Sequence, residues 1–274
     1  MTDLTRNAAV VGSPISHSLS PALHRAAYRA LGLDWTYAGL EVTVEQLPDF
    51  LAGLDASWAG LSLTMPLKEA VLDLAGEISW TAHATTSANT LLLPARQAHN
   101  TDVDGLRMAL LRAGFAAEPG FPATVAGAGA TARSAVAALH ALGVGEVHLL
   151  ARDSLRAAPA RDTADRLGVD LRVHPFDSPQ WLATELVITT VPSGVADVLA
   201  QSLPPQPAWL LDVVYSPWPT VLAQAWAAGG GRIVSGLEML LAHCNAGPTY
   251  AECVGVRYQQ LHEDPEAAIA DIVD

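Results

Sequence analysis

Lysine is almost absent from this chain, which carries 15 basic residues of which only Lys68 is a lysine. An ammonium group can release its proton when burial lowers its pKa, whereas a guanidinium stays charged at any ordinary pH. A chain that otherwise uses only arginine therefore has a chemical reason for one primary amine. The alternative is a stray surface lysine. Lys68 follows an apolar run and a turn at Pro66, and this position favours an acid/base role, because α/β enzymes place working side chains at strand ends.

Cysteine, positive charge and long apolar runs are also scarce. The two cysteines, Cys244 and Cys253, have neither partner pairs nor metal-ligand spacing, so we expect reduced packing residues and no metal site. A net charge of −13 argues against nucleic acid or an anionic membrane as the main partner and leaves a small molecule. No apolar run approaches the roughly 18 residues of a membrane span, and no signal peptide is recognisable. We therefore expect a cytoplasmic protein.

Apolar runs typical of strands alternate with helical stretches rich in alanine and leucine, which predicts an α/β protein with parallel sheets. At 274 residues, the chain is long enough for two domains. The predicted strands are 8–12, 36–42, 60–64, 123–126, 147–151, 170–173, 186–190 and 209–213. The predicted helices are 21–31, 44–54, 66–74, 130–142 and 155–167. The tail from Gly236 is predicted to be mostly helical and to pack on the first half.

A glycine-rich turn between a predicted strand and a predicted helix gives the clearest cofactor signal. It reads Gly127-Ala128-Gly129-Ala130 and continues to Arg133. The glycines permit a tight turn and a close approach of the backbone, and the free N–H groups of the helix N-terminus favour a diphosphate. Glycine turns also occur for structural reasons alone, but the strand–turn–helix setting favours the nucleotide.

Arginine at the end of the next predicted strand favours NADP over NAD. An NAD site usually has a carboxylate there, whereas this chain has Ala151 followed by Arg152, with Arg156 nearby. Arginine binds the additional 2′-phosphate of NADP. Asp153 is a counter-argument, because its carboxylate would repel that phosphate if it turned inward.

Two polar clusters in the first half are candidate substrate contacts. Ser18 and Ser20 precede a predicted helix, where Ser20 and Pro21 also fit simple helix capping. Two serines beside a helix N-terminus could instead bind a carboxylate. The second cluster, around Asn89 and residues 99–105, is typical of turns, so its spacing alone does not assign a function.

Together these segments resemble shikimate dehydrogenases over nearly the whole chain, in order and with the family's spacing. The matching residues are Ser18 and Ser20; Thr64, Pro66 and Lys68; Asn89 and Thr90; Asn100 to Gly105; Gly127 to Arg133, with Arg152 and Arg156; Asp212, Tyr215 and Pro217; and Gly236 to Leu240. Seven motifs in register make a chance match improbable.

The resemblance implies a substrate-binding and catalytic domain of residues 1–103 and 237–274, and a Rossmann-like NADP-binding domain of residues 104–236. It implies reversible, NADP-dependent reduction of 3-dehydroshikimate to shikimate, in the route to chorismate and the aromatic amino acids. Lys68 would donate the proton, and Asp102 would keep the ammonium charged while holding a ring hydroxyl. No metal is needed, and a monomer or homodimer is expected.

The remaining roles are implied in the same way. The implied substrate-binding residues are Ser18, Ser20, Ser62, Thr64, Asn89, Tyr215 and His243. The implied cofactor-binding residues are Gly127, Ala128, Gly129, Ala130, Arg152, Arg156, Val191, Val213 and Gly236.

Three departures from the family pattern keep alternatives open. Ser62 stands where asparagine is usual, His243 stands where glutamine is usual, and residues 189–194 replace an Asn-Ala-Thr start. A sibling enzyme acting on quinate or an amino-substituted analogue is one alternative. A non-catalytic NADP-binding regulator that kept the fold is another.

Overall fold

The computed structural model describes residues 6–116 and 118–243, which confirm the predicted α/β class. The chain forms two compact units. Of the described residues, the first unit contains those up to His83 together with Ser87–Thr101. The second contains Ala84–Thr86 and Asp102–Ala242.

The first unit is built on a mixed six-stranded sheet of order β2-β1-β3-β5-β6-β4. Its strands are β1 (Arg6–Gly12), β2 (Trp35–Glu41), β3 (Trp58–Leu63), β4 (Glu77–Ile78), β5 (Thr90–Leu92) and β6 (Gln97–His99). Its helices are α1 (Ser20–Leu31), α2 (Leu47–Ala52), α3 (Leu67–Ala70) and α4 (Trp80–Thr85), the last ending in residues of the second unit, and a 3₁₀ turn covers Val71–Leu74. β1 pairs in parallel with β2 and β3, and β5 runs antiparallel to β3.

The side chains of β1 point alternately to the two faces of this sheet, and apolar clusters cover β1 on both faces. Ala9 and Val11 pack into one apolar cluster, while Ala8 and Val10 pack into another that contains Tyr37. Successive side chains of a strand point to opposite faces, so a strand whose consecutive residues from Ala8 to Val11 are all apolar has to be covered on both sides. The interior position of β1, between β2 and β3, follows from this composition.

The second unit is a parallel six-stranded sheet of order β12-β11-β10-β7-β8-β9. Its strands are β7 (Pro122–Ala126), β8 (Glu146–Ala151), β9 (Asp170–Pro175), β10 (Leu186–Thr189), β11 (Trp209–Asp212) and β12 (Arg232–Ser235). Its helices are α5 (Asp102–Arg112), α6 (Ala130–Ala141), α7 (Ala158–Leu167), α8 (Val221–Ala228) and α9 (Gly236–His243), with 3₁₀ turns at Pro179–Leu182 and Asp197–Ser202. This is the strand order of a dinucleotide-binding sheet, whose order reverses between β7 and β10.

Three predicted helices differ in the structure: two are shorter, and the one predicted over 66–74 is divided into α3 and a 3₁₀ turn. One of the differences has a clear cause. The helix predicted from residue 155 begins at Ala158, because the Asp153 carboxylate accepts the Leu155 N–H at 2.8 Å and holds a turn there. The helix predicted over 44–54 covers only Leu47–Ala52. In the described part of the tail, Met239 and Ala242 of α9 are buried in the core of the second unit.

Candidate active site

The carboxyl edge of the first sheet collects most of the predicted substrate-binding residues. β1 and β3 are parallel and end at Gly12 and Leu63, so both segments leave the sheet at one edge. β5 begins at the same edge, with Thr90 opposite Ser62. At or just beyond this edge lie Ser18, Ser20, Ser62, Thr64, Lys68 and Asn89. Ligands of α/β sheets bind outside the carboxyl ends of strands, so this edge is the candidate substrate site.

Backbone hydrogen bonds fix the segment that carries Lys68. Before Lys68, the Met65 carbonyl accepts the Ser13 N–H at 3.0 Å, which ties the loop after β3 to the loop after β1. The carbonyl of Lys68 itself accepts the Ala88 N–H at 2.7 Å. The side chain is half-buried. The amine is therefore attached to a backbone held from two sides, as a proton donor of defined position requires.

Ser18 lies on the turn that leads into α1 and Ser20 is the first residue of that helix, so the capping prediction for Ser20 is wrong. The helix already includes Ser20, and the Ser18 hydroxyl accepts the Ser20 N–H at 3.3 Å. The Ser20 hydroxyl meets no hydrogen-bond partner among the residues that the structure describes. Two hydroxyls beside the N-terminus of a twelve-residue helix are suited to binding a carboxylate.

The amide of Asn89 is held in one orientation. Its Oδ1 accepts the N–H of Thr101 at 2.9 Å, the hydroxyl of Thr101 at 3.1 Å and the hydroxyl of Thr90 at 3.0 Å. Its Nδ2 donates to the Thr101 hydroxyl oxygen at 3.0 Å. These bonds fix the amide with its oxygen toward Thr90 and Thr101, so any contact from this side chain to a ligand has to come from an N–H group.

Ser62 belongs to a buried polar chain that sequence reasoning missed. The Tyr37 hydroxyl donates to Ser62 Oγ at 2.7 Å, and the Tyr37 ring stacks on His24 with centroids 3.9 Å apart and an interplanar angle of 10°. His24 Nδ1 lies 2.7 Å from the carbonyl oxygen of Ser20. Burial lowers the pKa of His24 to about 4, against the opposing effect of that hydrogen bond. The four-residue spacing of Ser20 and His24 on one helix face was the available signal.

The predicted nucleotide loop lies where the strand order of the second sheet reverses. Gly127 follows β7 with φ at 120°, a conformation that favours glycine, and its N–H donates to the Leu150 carbonyl at 2.9 Å. A side chain there would overlap Thr190 Oγ1, and Val191 lies beside it. Gly129 precedes α6, and no side chain caps that helix. The loop and the uncapped helix N-terminus therefore fit a dinucleotide diphosphate.

Arg152 and Arg156 are exposed on the turn that follows β8. Asp153 is the residue that argues against NADP, because its carboxylate could repel the 2′-phosphate. In the structure this carboxylate accepts the Leu155 N–H within the turn. A carboxylate that accepts a backbone N–H there is occupied with local structure. The arrangement leaves two guanidinium groups on the turn where a 2′-phosphate would bind.

Tyr215, Val213 and Gly236 lie close together around the end of β11. The buried Asp212 carboxylate accepts the Val214 N–H at 3.1 Å and the Thr220 hydroxyl at 2.7 Å, which fixes the loop that carries Tyr215. A side chain at Gly236 would overlap the carbonyl oxygen of Val213, so α9 starts directly against this strand end.

Asp102, the second predicted catalytic residue, is the first residue of α5 and is 2% exposed. A carboxylate in the first turn of a helix is stabilised by the helix dipole.

Arg133 is a second residue whose role sequence reasoning missed. It is 2% exposed, and its guanidinium donates to the carbonyls of Thr85 at 2.7 Å and Thr86 at 3.2 Å. Thr86 has φ at 47°, in the left-handed region. Arg133 therefore holds the backbone at the end of α4, a role that its place in the nucleotide motif did not indicate.

Some predicted features lie outside the described residues. His243 is the last residue of α9, and its side chain is outside the description, as are Cys244 and Cys253.

Among residues 6–116 and 118–243, no group of three or more His, Cys, Asp or Glu is arranged to hold a metal ion. None of the described helices is long and apolar enough to cross a bilayer.

Comparison with known proteins gives a consistent result. A family model described as the shikimate dehydrogenase substrate binding domain matches residues 10–91. The shikimate dehydrogenase (NADP(+)) of Citrifermentans bemidjiense is 39% identical over 263 residues, which cover 90% of this chain and 89% of the relative. The crystal structure of Mycobacterium tuberculosis shikimate dehydrogenase is 40% identical with a TM-score of 0.83, covering 98% of both chains. A Thermus thermophilus shikimate 5-dehydrogenase, solved with NADP(H) and shikimate, is 29% identical with a TM-score of 0.81 over 98% of both chains.

Proposed function

This chain belongs to the shikimate dehydrogenase family, and we propose that it catalyses the reversible, NADP-dependent reduction of 3-dehydroshikimate to shikimate. The observation that carries the proposal is the sheet edge at which the single lysine lies among hydroxyl and amide side chains. A proton donor beside polar groups that read ring hydroxyls is what this reaction requires.

Lys68 is the proposed proton donor. Reduction leaves charge on the ketone oxygen, and the Lys68 ammonium would neutralise that charge by donating a proton to it. In the direction of oxidation, the Lys68 amine would take the proton of the substrate hydroxyl. Asp102 would bind a ring hydroxyl of the substrate through its carboxylate, which gives it the second catalytic role.

The remaining substrate contacts follow from hydrogen-bond chemistry. Ser18 and Ser20 would bind the substrate carboxylate beside the N-terminus of α1, together with Tyr215. Thr64 and Asn89 would read the ring hydroxyls, with Asn89 acting as a donor. The remaining proposed contacts to the ring are Ser62 and His243.

The nucleotide loop is proposed to bind NADP. Its backbone from Gly127 to Ala130 would bind the diphosphate, and Arg152 and Arg156 would bind the 2′-phosphate. When bound, NADPH supplies the hydride that reduces the ketone carbon. Val191, Val213 and Gly236 would line the cofactor site.

The proposal includes an assignment of domains and context. Residues 1–103 and 237–274 would form the substrate domain, and residues 104–236 would bind NADP. We also propose a cytoplasmic location and a monomer or homodimer.

Steady-state assays with shikimate and quinate, each with NADP and NAD, test the proposal. We expect oxidation of shikimate with NADP to have the highest kcat/KM. A preference for quinate would assign the sibling activity that the departures at Ser62 and His243 suggest. A protein that binds NADP and turns over neither substrate would be the regulator instead.

A further inference from the structure

Two proposed substrate contacts of the first unit are joined by a pair of buried rings. Ser62 is bonded to Tyr37, Tyr37 stacks flat on His24, and His24 is bonded to the carbonyl of Ser20. Tyr37 is 2% exposed and His24 is fully buried. Ser20 lies on α1 and Ser62 on β3, so this series of contacts connects the start of a helix with the end of a strand.

The hydrogen bond to Ser20 fixes which ring nitrogen of His24 carries the hydrogen. A carbonyl oxygen can only accept, so the Nδ1 atom that faces Ser20 carries the hydrogen. Since burial lowers the pKa of His24 to about 4, the ring is neutral at physiological pH. A neutral ring clamped by this bond supports the Tyr37 ring along its whole face.

The Tyr37 bond determines what Ser62 can offer a ligand. Ser62 Oγ accepts the phenolic hydrogen, which fills one of its acceptor positions. Within residues 6–116 and 118–243, the hydroxyl hydrogen of Ser62 meets no protein acceptor, and the side chain is only half-buried. The bond therefore orients Ser62 to donate to an oxygen outside the sheet.

We propose that Tyr37, backed by His24, is a positioning residue that orients the Ser62 hydroxyl as a hydrogen-bond donor to a ring oxygen of the substrate. This inference rests on the proposed function, because it takes Ser62 to be a substrate contact. Tyr37 acts only through Ser62 and does not touch the substrate itself.

A double-mutant cycle on the dissociation constant for shikimate, measured by calorimetry, tests the inference. Tyr37→Phe and Ser62→Ala should each raise this constant about threefold to tenfold, the worth of one hydrogen bond. The double variant should bind no more weakly than the weaker single variant. Tyr28→Phe is the matched control: Tyr28 is equally buried in the same cluster, with its ring centroid 6.4 Å from that of Tyr37, and its loss should not change shikimate affinity.

Each outcome bears on one claim. Independent, multiplying effects of Tyr37→Phe and Ser62→Ala would overturn the inference, because a purely structural role for Tyr37 does not depend on Ser62. Unchanged affinity in Ser62→Ala would also overturn it, even if Tyr37→Phe failed to fold. The dissociation constant for NADP should stay unchanged in all variants. A wild-type protein that binds shikimate but does not oxidise it would contradict the proposed function. The double-mutant cycle could still be interpreted in that case, because it uses dissociation constants and needs no turnover.

Discussion

His24 should make the free energy of unfolding depend on pH. The folded chain holds this residue with a pKa of about 4 because its ring is buried, whereas in the unfolded chain it returns to its ordinary value of 6.5. The unfolded state thus binds a proton more readily. The stabilising contribution of neutral His24 is complete above pH 6.5 and is lost as the pH falls toward 4.

The size of the effect follows from the two pKa values. Each tenfold difference in proton affinity is worth about 1.4 kcal/mol, so the complete effect is about 3 kcal/mol. By pH 5, where the unfolded residue is charged and the folded residue is still neutral, the loss should be about 2 kcal/mol. This is a large part of the stability of an ordinary domain.

Urea unfolding of the wild type and of His24→Phe at several pH values from 7 to 4 measures this quantity. Phenylalanine keeps a flat ring against Tyr37 and cannot titrate, so the pH dependence should be shallower in the variant by about 2 kcal/mol at pH 5. The pKa values of His148 and His174 are also lowered, chiefly by burial, but both proteins contain these residues and their contribution cancels. Parallel profiles for the two proteins would refute the reasoning, since His24 would then titrate alike in the folded and unfolded states.

Five further substitutions, at four residues, test the catalytic and cofactor sites. Lys68→Met should lower turnover by about 10²–10⁴-fold, and Lys68→Arg should lower it similarly, because a guanidinium keeps the charge but cannot exchange a proton; near-normal turnover in either would exclude proton transfer by Lys68. Arg152→Ala should raise the KM for NADP by roughly 10- to 150-fold and change the KM for NAD little, because only NADP carries the 2′-phosphate. An equal rise in KM for both cofactors would contradict the proposed contact between Arg152 and that phosphate. Gly127→Ala should destabilise the fold, because its positive φ and the overlap with Thr190 both oppose a side chain, whereas Gly129→Ala, with open space around it, should leave Tm unchanged and raise the KM for NADP. An unchanged Tm in Gly127→Ala, or an unchanged KM for NADP in Gly129→Ala, would contradict the proposed loop geometry.

The parts of the fold that could be predicted are those whose signal is local. The strand–turn–helix at Gly127 and the unique Lys68 after β3 could be located because each depends on adjacent residues. The short strands β5 and β6 escaped prediction, since three residues carry too little periodicity to separate a strand from a turn. Asn89 illustrates the consequence: its position was predicted, but the orientation of its amide depends on Thr101 in the segment after β6.

The missed site residues depend on contacts between distant segments. Tyr37 and Ser62 are 25 residues apart, and nothing in either local sequence indicates their hydrogen bond. Arg133 is 48 residues from Thr85, so its hydrogen bond to the Thr85 carbonyl could not be predicted from the local sequence, which indicated only a nucleotide motif. Ser20 does not cap α1, because the helix begins one residue earlier than the capping pattern indicated and its N-cap is Leu19. Helix boundaries predicted from a sequence commonly shift by one or two residues.

The most direct test of the account follows the hydrogen that leaves the substrate. Shikimate deuterated at the carbon that bears the reacting hydroxyl is incubated with NADP and the wild-type protein, and the cofactor is analysed by mass spectrometry. The account predicts reduced NADP that carries one deuterium, formed together with 3-dehydroshikimate. Reduced cofactor without deuterium, or no reduced cofactor from a protein that binds both ligands, would contradict it.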